Sequence, residues 1–225
     1  MPRIKPAFLI GACALLIAYA ARTIVADDRT SIMIDTFSGC FKDRLPCDWQ
    51  KFKDIKGISL QQDSLNWFVG IRSVGDVEGI AKKVSFCVHD YPFVHWRWRV
   101  RTLPSDGRED IKKKNDSAAG IYIVFKGAYP FNHVIKYVWS TTLPVGTMTR
   151  SPYNHRTMIY VIEQGPNSLN QWVSEDRNVL DDYLKAFGAQ PPLVEGIGIQ
   201  TDSDNTKSSA SADFDDFFAG KYRER

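Results

Sequence analysis

The chain has 225 residues, a formal net charge of +3, 44% hydrophobic and 24% charged residues. Arg3, Lys5 and Arg22 account for the whole excess, because residues 1–26 contain no Asp or Glu and the remainder is electrically balanced. A nucleic-acid binder keeps a basic surplus to neutralise phosphates, so that class of partner is set aside.

Taken from the N-terminus, Arg3 and Lys5 precede an uncharged, mostly apolar run from Pro6 to Ala21. Small-residue cleavage sites follow at Ala18-Tyr19-Ala20 or Ile24-Val25-Ala26. This is the layout of a secretory signal. The run is shorter than the roughly 20 residues of a spanning helix, and no second such stretch follows. The reading is a signal peptide over 1–26, an exported periplasmic or extracellular protein without a transmembrane helix after cleavage, and a single domain over 27–225. Cys13 lies within the signal. Of the other three cysteines, Cys40 and Cys47 flank a short loop and are the preferred pair on proximity, which export permits. Cys87 is then unpaired and expected to be buried, though three cysteines allow three pairings.

The rest reads as short strands. Candidates are Ile32–Phe37, Trp67–Arg72, Ile80–Phe86, Phe93–Arg101, Ile121–Phe125, Val134–Trp139, Met158–Ile162, Val194–Ile199 and Ala210–Phe218, rich in β-branched and aromatic residues. In Phe93–Arg101 a period of two puts Trp96 and Trp98 on one face and Arg97, Arg99 and Arg101 on the other. Ile121–Phe125 is apolar throughout and suits a strand covered on both faces. The triplet Lys112-Lys113-Lys114, with Arg108, is matched by Asp106, Glu109, Asp110 and Asp116 and reads as a solvated loop. Leu180, Tyr183, Leu184 and Phe187 fall at helical spacing, with Ser174 as cap and Gly188 as stop, which predicts one amphipathic helix over Ser174–Phe187. The pattern predicts a mainly β fold: an antiparallel two-sheet sandwich of jelly-roll, galactose-binding-like type with one helix.

Several phrases carry a family resemblance. They include Trp96-Arg97-Trp98-Arg99-Val100, the run Asp116–Phe125, Lys136-Tyr137-Val138-Trp139, Glu175-Asp176-Arg177-Asn178-Val179 and Thr201-Asp202-Ser203-Asp204-Asn205-Thr206. In this order, over roughly residues 35–218, they resemble the exported bacterial family known as domain of unknown function 3047. The resemblance implies a carbohydrate-binding-module-like β-sandwich and no known activity, so it supplies no catalytic residues. Cys40 and Cys47 lie where relatives show a short glycine- and proline-rich loop, a departure that supports a local disulfide in this chain.

Three groups of residues are candidates for function. The loop at 201–206 concentrates hard oxygens that suit a structural Ca²⁺ or a sugar's hydroxyls. Asp202, Asp204 and Asn205 are its expected ligands, with Asp215 and Asp216 contributing from the last strand. The competing reading of the loop is a turn held by its own side chains, and that of the aspartates is a salt bridge to the arginine row. Arg97, Arg99 and Arg101 present bidentate donors that would hold an acidic polysaccharide, unless carboxylates on adjacent strands pair with them. Tyr137 and Trp139, on the same face of their strand, are a sugar-stacking platform or core. No catalytic motif occurs. The expected role is therefore a non-catalytic module binding a glycan or another envelope component. The alternatives are a polysaccharide hydrolase using paired carboxylates from Glu195, Asp202 and Asp204, and a protein-partner module.

Overall fold

A computed structural model describes residues 30–42, 45–52, 56–64, 66–127 and 132–224. The expected signal segment, its cleavage sites and Cys13 lie outside these residues. In chain order the elements begin with β1 (Ser31–Asp35), β2 (Phe41–Lys42), β3 (Leu45–Pro46), β4 (Trp49–Lys51), β5 (Ile58–Asp63) and β6 (Asn66–Val74). Next come β7 (Val77–Phe86), β8 (Phe93–Thr102), β9 (Ala119–Phe125), β10 (Val134–Ser140), β11 (Met148–Arg150) and β12 (Thr157–Gln164). The chain closes with β13 (Val173–Asn178), α1 (Val179–Phe187), β14 (Val194–Asp202) and β15 (Ser209–Gly220).

These strands form a two-sheet β-sandwich. One sheet has six strands, β13-β8-β15-β6-β5 with β1 also on β15; the other has seven, β11-β12-β10-β9-β14-β7-β4. β2 and β3 form a separate hairpin, and Cys40 and Cys47 at its ends are joined by a disulfide with their Cα atoms 5.3 Å apart. Cys87 is free and half-buried rather than buried. Pairing is antiparallel except between β10 and β12. After β10 the chain skips one position to the edge strand β11, and the hairpin to β12 fills the gap, so β12 runs in the direction of β10.

The period of two along each strand divides core from surface. Trp96 and Trp98 of β8 point inward and meet Tyr137 and Trp139 of β10: the Trp96–Tyr137 centroids are 5.4 Å apart and those of Trp98 and Trp139 5.9 Å. These are tilted and edge-on packings that the ring quadrupole favours. The expected platform of Tyr137 and Trp139 is thereby corrected, since both are fully buried between the sheets. The Trp139 indole donates to the Gly165 carbonyl and the Tyr137 hydroxyl to Asp182.

The helix is shorter than its periodicity predicts. It begins at Val179, and Asn178 rather than Ser174 caps it, accepting from Asp181 N at 3.1 Å. Residues 173–178 instead pair with Trp98–Phe93 as the edge strand β13. Backbone pairing to β8 satisfies every second donor and acceptor there, while the alternation brings the half-buried Glu175 next to Trp98, whose indole donates to it at 3.1 Å. Gly188, at φ +63°, closes the helix as expected. No helix among the described residues is long and apolar enough to cross a membrane.

Candidate ligand-binding site

The outer face of the seven-stranded sheet carries the candidate site. In β9, Ile121, Ile123 and Phe125 fill the core, which turns Gly120 and Tyr122 outward. The expectation that this strand is covered on both faces is therefore corrected. Register places Tyr122 between Gly198 of β14 and Lys136 of β10, and Lys136 opposite Ile159 of β12. The side chain of Lys136 is only 3% exposed. It passes over Gly120, where an added Cβ would stand 2.9 Å from Lys136 Cε. Its Nζ lies 5.2 Å from the Tyr122 ring centroid, and among the described residues it has no carboxylate within 4.0 Å.

Around this ammonium the polar groups form a chain. The Tyr122 hydroxyl donates to Gln200 Oε1, and Gln200 Nε2 approaches Asp202 Oδ2 at 3.4 Å. The loop after β14 is anchored by Asp116, which accepts from Asn205 N at 3.0 Å, Thr206 N at 2.7 Å and Thr206 Oγ1 at 2.5 Å. One oxygen each from Asp116, Asp202 and Asp204 lies within 4.8 Å of the others. Asn205 Oδ1 turns away to accept from Asn115 N and the Tyr153 hydroxyl. A cavity of about 300 Å³ opens above Tyr122, Lys136, Gln200, Asp202 and Asp204, with Tyr153 as one wall.

Charges in the cavity are coupled. Burial pushes the Asp202 carboxyl up to about 7, with Asp204 and Asp116 adding to the rise and Lys136 opposing it. For Lys136, burial alone would lower the ammonium pKa; Tyr122, Asp202 and Glu109 outweigh it and hold it above the ordinary lysine value. Glu109 is raised chiefly by burial, although Ser140 Oγ donates to it at 2.6 Å. The lysine is therefore charged, and Asp202 is partly neutral at pH 7.

The other expected residues are dispersed. Arg97, Arg99 and Arg101 lie on the outer face of the six-stranded sheet, where aspartates pair with them. Arg97 reaches Asp215 at 2.7 Å and Asp216 at 2.8 Å, while Arg99 and Arg101 share Asp213 Oδ2 at 2.8 and 2.7 Å. Asp215 and Asp216 thus face Arg97 and do not join Asp202 and Asp204, which corrects the five-residue metal set. Asp216 sits in a bulge of β15 at φ +53°, where the chain twist brings both acids to one guanidinium. Glu195 accepts from Asn132 Nδ2 at 2.5 Å, away from the loop acids. Lys136, Tyr122, Gln200, Asp116 and Tyr153 were missed by sequence reading. Only the outward alternation of Gly120 and Tyr122 signalled them.

The fold and this pocket define a β-sandwich with a polar, aromatic-walled site on one sheet face. The chain belongs to the family described as "Protein of unknown function (DUF3047)", whose profile matches residues 50–218. No match was found among curated proteins. Similar solved structures include the family 11 carbohydrate-binding module of a Clostridium thermocellum cellulase, at 9% identity over 87% of this chain and 96% of that one, TM-score 0.46. The family 30 module from the same organism has 10% identity over 85% and 98%, TM-score 0.45. Endoglucanase 3 of Trichoderma harzianum has 12% identity over 74% and 83%, TM-score 0.42.

Proposed function

We propose that this protein is an exported, non-catalytic module that binds a glycan of its surroundings in the pocket over Lys136. The observation that carries the reading is the buried ammonium at the floor of an open cavity. Although almost removed from water, this lysine is held charged by Tyr122, Asp202 and Glu109, so a fixed ammonium stands ready at the cavity floor. Here its donors, the acceptors on Asp202 and Asp204 and the Gln200 amide surround one space. Ring hydroxyls, each both donor and acceptor, complement such a set. Export is supported by the N-terminal signal pattern and by the Cys40–Cys47 disulfide, which persists in an oxidising compartment. Retention of the protein on a glycan array or immobilised polysaccharide, and its loss in Lys136→Met, is the test; no retention on any polymer removes the reading.

A hydrolase is the second reading, because Asp202 is held near neutrality in an open pocket close to Asp204. A carboxyl that holds its proton up to about pH 7, set beside a second acidic residue, is what acid–base cleavage of a glycosidic bond uses. Release of reducing ends from a bound polysaccharide, lost in Asp202→Asn, distinguishes it from binding alone.

A further inference from the structure

Beside the pocket, the same sheet face carries an aromatic ring laid on a floor without side chains. An added Cβ would stand 2.6 Å from the Phe52 ring at Gly79 and 3.2 Å from it at Gly198, so these glycines leave the space that the ring fills. The backbone N–H of Phe52 donates to the Gly79 carbonyl at 3.2 Å. Its ring meets Tyr122 edge-on with centroids 6.4 Å apart, yet it remains 48% exposed. On the far side of the cavity Tyr153 is 58% exposed. Its hydroxyl is shared between Asn205 Oδ1 at 2.9 Å and the Lys112 carbonyl at 3.0 Å. Both rings are thus held in place before any ligand arrives, which reduces the ordering needed on binding.

The spacing follows from the sheet. Gly198 under Phe52 and Lys136 under the cavity are two strands apart, with Tyr122 between them. At the usual strand spacing that is about 10 Å, too far for one sugar ring to meet both and suited to two linked rings. The charges narrow the ligand further. Lys136 offers donors, and Gln200, Asp202 and Asp204 offer acceptors in the same space, a mixed set that ring hydroxyls meet as both donors and acceptors without a net charge of their own.

Resting on the glycan reading, we infer that the ligand is a neutral oligosaccharide of at least two linked rings, one held over Lys136 and the next stacked on Phe52. The test is calorimetric titration of the whole protein with glucose, cellobiose and cellotetraose, with galactose and β-1,4-galactotriose, and with trigalacturonate. In one neutral series the affinity should rise about 3- to 10-fold from the monosaccharide to the oligosaccharide. Phe52→Ala, checked for folding by its melting curve, should cancel that rise while keeping monosaccharide binding; Lys136→Met should lose both. Equal affinity for one ring and several, an unchanged rise in Phe52→Ala, or preference for trigalacturonate overturns the inference and leaves the glycan reading standing. Failure of every probe to bind the wild-type protein overturns the inference, while the glycan reading falls only if the array also shows no retention.

Discussion

Gly120 and Lys136 are complementary: the glycine offers bare backbone on the outer face of the seven-stranded sheet, and the lysine chain crosses it at a distance no β-carbon would allow. Gly120→Ala should therefore move the ammonium rather than unfold the protein. Overpacking of this kind typically costs about 1–3 kcal/mol, and the flexible end of a lysine gives way at the low end of that range. Urea melts should show a loss of about 1 kcal/mol together with a clear loss of polysaccharide retention. Undiminished retention would show that the lysine's position is irrelevant to binding.

Two acids make stability depend on pH. Burial raises Asp202 to about 7, and burial together with Glu163 raises Glu175 to about 8. Each group binds its proton more tightly folded than unfolded, so its favourable contribution is full below its unfolded pKa and is lost as pH rises through the folded value. The window runs from about pH 4 to about 8. Compared with wild type, Asp202→Asn and Glu175→Gln should each flatten the fall in urea stability across that window. The Glu175 effect should reach roughly 3 kcal/mol after allowing for partial solvent access.

Trp139 is core, so its replacement tests packing rather than recognition. Trp139→Ala removes a fully buried indole packed edge-on against Trp98 and its hydrogen bond to Gly165. The expected loss is about 3–5 kcal/mol. Protein that remains folded at low temperature should retain glycan binding in proportion to its folded fraction. Selective loss of binding with unchanged melting would return the residue to a platform role.

Arg97 is a structural charge. Asp215 is fully buried and receives Arg97 Nη2 at 2.7 Å and Asn66 Nδ2 at 2.8 Å. Removing the guanidinium leaves a buried carboxylate with only the Asn66 amide and the Asp216 N–H as partners, and no counter-charge. Arg97→Ala should destabilise the fold by about 3 kcal/mol, and pairing it with Asp215→Asn should recover most of that loss. A double variant as unstable as the single one would place the effect in packing against Trp172, whose ring lies 4.7 Å from the guanidinium carbon.

The disulfide closes a short loop, with Cys40 and Cys47 seven positions apart. Reduction should lower stability by about 2 kcal/mol, near the low end of the range for disulfides. Thiol titration of denatured, unreduced protein beginning at residue 27 should find one reactive cysteine, Cys87. Three would mean that the hairpin is not cross-linked in solution.

Local pattern determined much of this protein. The alternation in Phe93–Arg101 already separated tryptophans from arginines, because a strand has only two faces and water selects between them. The aromatic and β-branched runs marked the long strands, and Gly188 marked the end of the helix, since each rests on the chemistry of neighbouring residues. The oxygen-rich loop at 201–206 was legible for the same reason. Tertiary structure alone decided the rest. Residues 173–178 became strand because β8 offered an unpaired edge, a partner some 80 positions away that no helical period registers. Tyr137 and Trp139 became core, and Lys136 next to Tyr137 became the floor of a pocket. Alternation says only that they face opposite ways, whereas burial depends on which sheet covers each face. Asp116 met Asp202 and Asp204, and Asp215 met Arg97, through cross-strand register. That register is set by the packing of the whole sandwich and is absent from any single stretch of sequence.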